Sequence, residues 1–159
     1  MWILKRLSAG RKGRNGMKEL VITAEVKNLD EVMAFVDAFL EEAGCPMKTQ
    51  MQIDLAVEEI FVNIASYAYA PKTGLATIRL EPADCGDAVT IVMIDQGIPY
   101  DPLSKADPDI TLSADERQIG GLGILLTKKN MDDVKYEYAN GSNVLTLKKT
   151  IRQKGERTC

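Results

Sequence analysis

The sequence predicts an α+β domain, a two-layer α/β sandwich whose mixed sheet is mostly antiparallel and carries its helices on one face. Three observations lead there. Strand-like and helix-like segments run β-α-α-β-β, then a long irregular stretch, then α-β-β, so strands cluster in hairpins instead of alternating with helices. Two turn signals, Asp-Cys-Gly-Asp at residues 84–87 and Ala-Asn-Gly-Ser-Asn at 139–143, each join two such strands. A chain of 159 residues with 45% hydrophobic content supplies one core and not two.

The first element is "ELVITAEV", residues 19–26, short and β-branched, hence a strand. From Asn28 to Ala43 the apolar residues Leu29, Val32, Val36, Phe39, Leu40 and Ala43 recur at helical spacing, with Asn28 and Glu31 as a cap pair and Gly44 as the stop. Thr49 and Gln52 form a second cap pair, opening a helix that runs until Pro71 and Gly74 end it. Residues 75–81 and 88–95 read as a hairpin. The stretch 97–121 then breaks all periodicity, with Pro99, Pro102, Pro108 and five acids scattered through it, a length that in compact domains often serves as a lid. After the glycines of "IGGLGI" (119–124), residues 124–131 suit a helix, and 133–138 with 144–151 a closing hairpin.

Composition removes several chemistries. There are no histidines, which excludes Ser-His-Asp and Cys-His catalysis, histidine-ligated zinc and phosphohistidine formation within this chain. Cys45, Cys85 and Cys159 are odd in number and widely spaced, indicating neither a disulfide framework nor a zinc cluster and suggesting a reducing cytoplasm. The apolar cluster Trp2, Ile3 and Leu4 is too short for a signal core or a membrane span, so no membrane association is expected. Residues 1–16 hold Lys5, Arg6, Arg11, Lys12 and Arg14 and no acid, whereas 17–159 carry 15 bases against 23 acids. Met17 looks like a natural start, so residues 1–16 are read as a basic, disordered extension or a misassigned upstream start, and 17–159 as the single domain. The acidic body argues against a nucleic-acid-binding face.

Chemistry-bearing residues fall in three places. On the second helix Glu59 and Asn63 are four apart and share a face, while most of their neighbours are apolar; Asp54 and Glu58 form a separate stripe expected to face solvent. Glu59 and Asn63 are either another wet stripe or a general base beside an amide oxygen suited to Mg²⁺. Asp95 closes a strand, with Gly97 two positions on. That pattern is either a strand-ending turn or a carboxylate that accepts from an amino group while glycine lets a flat ring approach. "IGGLGI" fits neither the dinucleotide fingerprint, which needs glycine where Leu126 stands, nor a Walker A loop. Alone it reads as a glycine-rich turn, with a phosphate site as the other reading.

Taken in order, Glu-x-x-x-Asn on a helix, Asp-x-Gly after a strand, a polar irregular segment, Gly-Gly-x-Gly at a helix start and Thr146 in a late strand resemble the Bergerat-fold (GHKL, histidine-kinase-like) ATPases, and among these the bacterial anti-sigma-factor serine/threonine kinases. The resemblance spans residues 19–151. It implies ATP and Mg²⁺ as cofactors, Glu59 as general base, Asn63 as Mg²⁺ ligand and nucleotide contact, Asp95 and Gly97 at the adenine, and Gly121, Leu122 and Gly123 along the phosphates. Thr146 would join the polar network near the adenine. As partners it implies an anti-sigma-factor antagonist, phosphorylated on serine or threonine, and a sigma factor, with a homodimer as the common assembly. Tyr67 stands where many relatives carry histidine, and Lys128 where many carry arginine. A regulatory module that binds ATP and controls partner affinity without phosphoryl transfer is the alternative reading.

Overall fold

The computed structural model describes residues 16–106 and 122–152. Among them, five strands form one sheet in the order β1-β2-β3-β5-β4: β1 (Lys18–Thr23), β2 (Leu75–Pro82), β3 (Ala88–Asp95), β4 (Asp133–Ala139) and β5 (Ser142–Thr150). Helices α1 (Leu29–Glu42), α2 (Met47–Asn63) and α3 (Leu122–Asn130) complete the element order anticipated above. All four strand pairings are antiparallel, so no described pair supplies the parallel component of a mixed sheet.

Register explains the layering. Leu20, Ile78, Met93, Leu145 and Tyr136 lie opposite one another across the five strands, and Lys18, Leu80, Ile91, Leu147 and Val134 form the next row. Side chains alternate between faces with a period of two, so these rows share one face, and their buried members join Val32, Val36, Leu40, Ile53, Val57 and Phe61 of the helices in a single core. One further row along the same face, Ile22, Ala76, Asp95 and Asn143 oppose each other. There the inner face changes from apolar to polar, at the ends of the two central strands.

Local rules account for most boundaries. Gly44 ends α1 with φ +69°, the left-handed conformation that favours glycine. Between β4 and β5 the whole turn is Asn140 and Gly141, with φ 53° and 75°, as a two-residue hairpin of the inverse type requires. Both proposed cap pairs fail. Asn28 precedes α1, but its Nδ2 donates to the carbonyl of Thr23 (2.9 Å) instead of its oxygen capping the helix. Pro46, not Thr49, precedes α2; its backbone is extended (φ -62°, ψ 143°) and the helix starts without a side-chain cap. Cys45 is a free thiol. No described helix is long and apolar enough to cross a membrane.

The expectation that Asp54 faces water with Glu58 holds for Glu58 alone. Asp54 turns toward α1, where Gln50 Nε2 donates to Asp37 Oδ1 (2.9 Å), and its own Oδ1 is sealed from solvent without a hydrogen-bond partner. Burial, then repulsion from Asp37 and a proton shared with it, push the Asp54 carboxyl up to about 6. A carboxyl raised in the folded state favours folding while protonated, and that contribution disappears as pH rises through about 6. Asp54→Asn should therefore stabilise the domain at pH 7.5 by about 1 kcal/mol, a figure reduced for solvent screening, and by progressively less toward pH 5. Urea unfolding of both proteins at the two pH values checks this; a pH-independent difference would contradict it.

Candidate functional site

The site grows from the C-terminal half of α2. Ile53, Ala56, Val57, Ile60 and Phe61 are buried, which fixes the rotation of the helix about its axis. That rotation leaves Glu59 half-buried against α3 and Asn63 half-buried beside it, with Asn63 Nδ2 donating to Glu59 Oε1 (3.2 Å). Glu59 lines a cleft of about 300 Å³ between the two helices, together with Leu55, Val62, Gly123, Leu126 and Thr127.

Gly123 packs directly on Glu59. A Cβ at this position would overlap the Glu59 carboxylate, so with glycine there the first turn of α3 lies against the carboxylate without displacing it. Thr127, buried, returns its hydroxyl to the Gly123 carbonyl (2.9 Å) and holds that first turn in place. Free N–H groups at a helix start favour negative charge, so the N-terminal turn of α3 and Glu59 face one cleft with opposite electrostatic preferences.

Beyond Asn63 the helix continues as a π-helical turn, Ile64–Ala68. This turn connects the cleft to the polar end of the sheet. Ile98 N–H donates to the Ala68 carbonyl (2.9 Å), and a Cβ on Gly97 would collide with that same carbonyl, so glycine is needed for the close approach. Tyr69 next to it accepts from Gln96 N–H (2.7 Å) and donates to the Leu75 carbonyl (2.5 Å), tying the end of β3 to the start of β2. Burial pushes the Tyr69 phenol up, so it remains a neutral donor. From Asn63 to Ala68 is five residues, roughly 7 Å of helical rise.

Asp95 and Asn143 sit directly opposite each other on β3 and β5 and are both buried, 7% exposed. Asp95 Oδ1 accepts two hydrogen bonds at 2.9 Å, from Gly97 N–H and from Asn143 Nδ2. Its Oδ2 takes no hydrogen bond among the described residues. A buried carboxylate with one oxygen saturated and the other open can accept from an incoming amino group.

Of the residues singled out from the sequence, the structure brings together Glu59, Asn63 and Gly123 in one group and Asp95 and Gly97 in another, with the π-helical turn between them. Leu122 begins α3 and is exposed beside the cleft. Gly121 lies outside the described residues. Thr146 does not join either group. It opposes Val92 and Lys135 in the sheet, alternating with the core residues Leu145 and Leu147, and therefore projects from the face away from the helices. The late-strand residue in the polar network is Asn143, three positions earlier. Sequence reading missed it by assigning Ser142 and Asn143 to the turn, although an Asn-Gly pair closes a hairpin in two residues and returns the next two to the strand. Tyr67 is exposed.

A family model for the histidine kinase-like ATPase domain matches residues 22–149. The chain belongs to this family. Named proteins resemble it over most of their own length. The serine/threonine-protein kinase BtrW of Bordetella bronchiseptica is 31% identical over 100 residues, covering 63% of this chain and 70% of BtrW. An anti-sigma F factor of Caldanaerobacter subterraneus is 28% identical over 131 residues, with 82% and 90% covered. The serine-protein kinase RsbW of Staphylococcus aureus is 25% identical over 147 residues, with 87% and 92% covered. The crystal structure of the RsbU and RsbW domains of Rv1364c from Mycobacterium tuberculosis superposes with a TM-score of 0.58 at 18% identity over 89% of this chain, which spans 34% of that longer one; the likeness is one of fold.

A histidine kinase-like ATPase domain takes ATP, and the donor set here fits the magnesium ion that accompanies a nucleotide triphosphate. With its Nδ2 turned to Glu59, Asn63 has an amide oxygen that takes no hydrogen bond among the described residues, a hard neutral ligand that adds no charge beside phosphates. Among the described residues no cluster of three or more acidic or thiol side chains could hold a metal unaided. Mg²⁺ is suited to such a site because it keeps several waters and takes phosphate oxygens as ligands.

Proposed function

We propose that this domain is an ATP- and Mg²⁺-dependent serine/threonine protein kinase that acts as an anti-sigma factor, phosphorylating an antagonist protein and sequestering a sigma factor when the antagonist is withdrawn. The observation that carries this reading is the Glu59 carboxylate, held by Asn63 and packed on Gly123 in an open cleft. ATP lies with its 6-amino group on Asp95 Oδ2, its ring over Gly97 and its phosphates at Gly121, Leu122 and Gly123. Glu59 orients the acceptor hydroxyl and takes its proton as the phosphoryl group leaves ADP. Mg²⁺ on the Asn63 oxygen would offset charge on the transferring group. A protein acceptor suits the cleft rim, where Met51, Leu55, Leu122 and Leu126 are exposed.

The names of BtrW, RsbW and the anti-sigma F factors support kinase and anti-sigma roles for the whole domain. The test is to incubate the chain with γ-labelled ATP and candidate antagonists from the same genome. Mg²⁺-dependent label on serine or threonine is expected. ATP binding with no transfer to any antagonist would instead favour regulation by nucleotide alone.

A further inference from the structure

The four hydrogen bonds of Asn143 have a consequence for nucleotide choice. Nδ2 donates both hydrogens, to Asp95 Oδ1 (2.9 Å) and to the Ile98 carbonyl (2.9 Å). Oδ1 accepts twice, from Tyr100 N–H (3.0 Å) and from the Tyr136 hydroxyl (2.6 Å). An amide has this many hydrogen-bonding positions and no more, so Asn143 has none left for a ligand. Its orientation is also determined: flipping it would set NH₂ against the Tyr100 N–H and the carbonyl against Asp95 and the Ile98 oxygen. Saturated, buried networks of this kind hold their members in one arrangement.

We propose that Asn143 is a positioning residue for purine selection, acting through Asp95, with the Tyr136 hydroxyl fixing Asn143 in turn. This rests on the reading that Asp95 receives the adenine amino group. The terminal torsion of an aspartate is soft and roughly two-fold, so a carboxylate held at one point can swing. Two donors on the same oxygen, from Gly97 and Asn143, remove that freedom. Oδ2 is then offered in a fixed direction. A 6-amino group meets an acceptor there, and a 6-keto oxygen meets a negative oxygen it cannot bond. Loosening Asp95 would let it turn away from the keto group, so discrimination falls even where overall affinity changes little.

ATP and ITP differ in this 6-substituent and serve as the probes. Dissociation constants of both are measured by calorimetry for wild type, Asn143→Asp and Tyr136→Phe, with thermal unfolding as a check on the fold. Wild type should prefer ATP by roughly 10–100-fold, the value of a charge-assisted hydrogen bond. Asn143→Asp replaces the donor facing Asp95 with a carboxylate oxygen and should lower that ratio by roughly tenfold. Tyr136→Phe, on the edge strand, removes only the hydroxyl and should lower it by roughly threefold in a protein that remains folded. Wild-type selectivity that persists in the folded Tyr136→Phe and Asn143→Asp proteins would overturn the positioning role while leaving the Asp95 reading in place. A wild type that binds ATP and ITP alike would overturn both.

Discussion

Glu59→Gln should lower phosphoryl transfer to a protein acceptor by roughly 10²–10⁴-fold, the usual contribution of a general base. ATP affinity should stay within about threefold of wild type, less than 1 kcal/mol. The substitution isolates one property. Glutamine has the volume of glutamate, so the packing against Gly123 is preserved. Its amide oxygen can still accept from Asn63 Nδ2, so the neighbour on the same helix face keeps its partner. What is lost is the capacity to take a proton. Initial rates with labelled ATP, alongside calorimetric titration with nucleotide, separate the two quantities. Equal transfer by both proteins would remove Glu59 from the chemistry. A collapse in ATP affinity would make it a binding residue instead. Removing a carboxylate from beside the phosphates also relieves repulsion, so any small change in affinity should be toward tighter binding.

How much of this site was legible in the sequence depended on the range of the interaction. Glu59 and Asn63 are four apart on a helix, and helical periodicity alone places them together; the contact between them follows from spacing. Asp95 and Gly97 were legible because a turn after a strand is local. The meeting of Glu59 with Gly123 was not, since it depends on how α3 docks against α2, and no local pattern encodes that. The Asp95–Asn143 pair was nearly legible. Both hairpins were recognised, and β3 was bounded at Asp95, but β5 was begun at Val144 when its first residue is Ser142. The displaced start hid the facing residue, and the choice of Thr146 placed the polar partner on the wrong face of the sheet. Asp54 was misread for a related reason: helical spacing paired it with Glu58, but a helix side has two flanks, and only tertiary packing decides which one meets α1.

Asp95→Asn should weaken ATP binding by roughly 10–100-fold and reverse the preference between ATP and ITP. The two donors that converge on Oδ1, the Gly97 N–H and Asn143 Nδ2, dictate how an asparagine must sit. Its carbonyl oxygen has to occupy the doubly bonded position, because an NH₂ there would confront two donors. The NH₂ is therefore forced into the place of Oδ2, the carboxylate oxygen proposed to meet the purine. A 6-amino group now meets a donor and loses its partner, whereas a 6-keto oxygen gains one. Stability should not suffer: the side chain is 7% exposed, and a neutral amide is less costly to bury than a charge. Calorimetric titration with ATP and with ITP, on protein whose unfolding midpoint matches wild type, decides the matter. Reversal requires that the carboxylate itself reads the base; a uniform loss for both nucleotides would mean that Asp95 supports the loop at Gly97 without touching the purine, and an unchanged ATP affinity would place the nucleotide elsewhere.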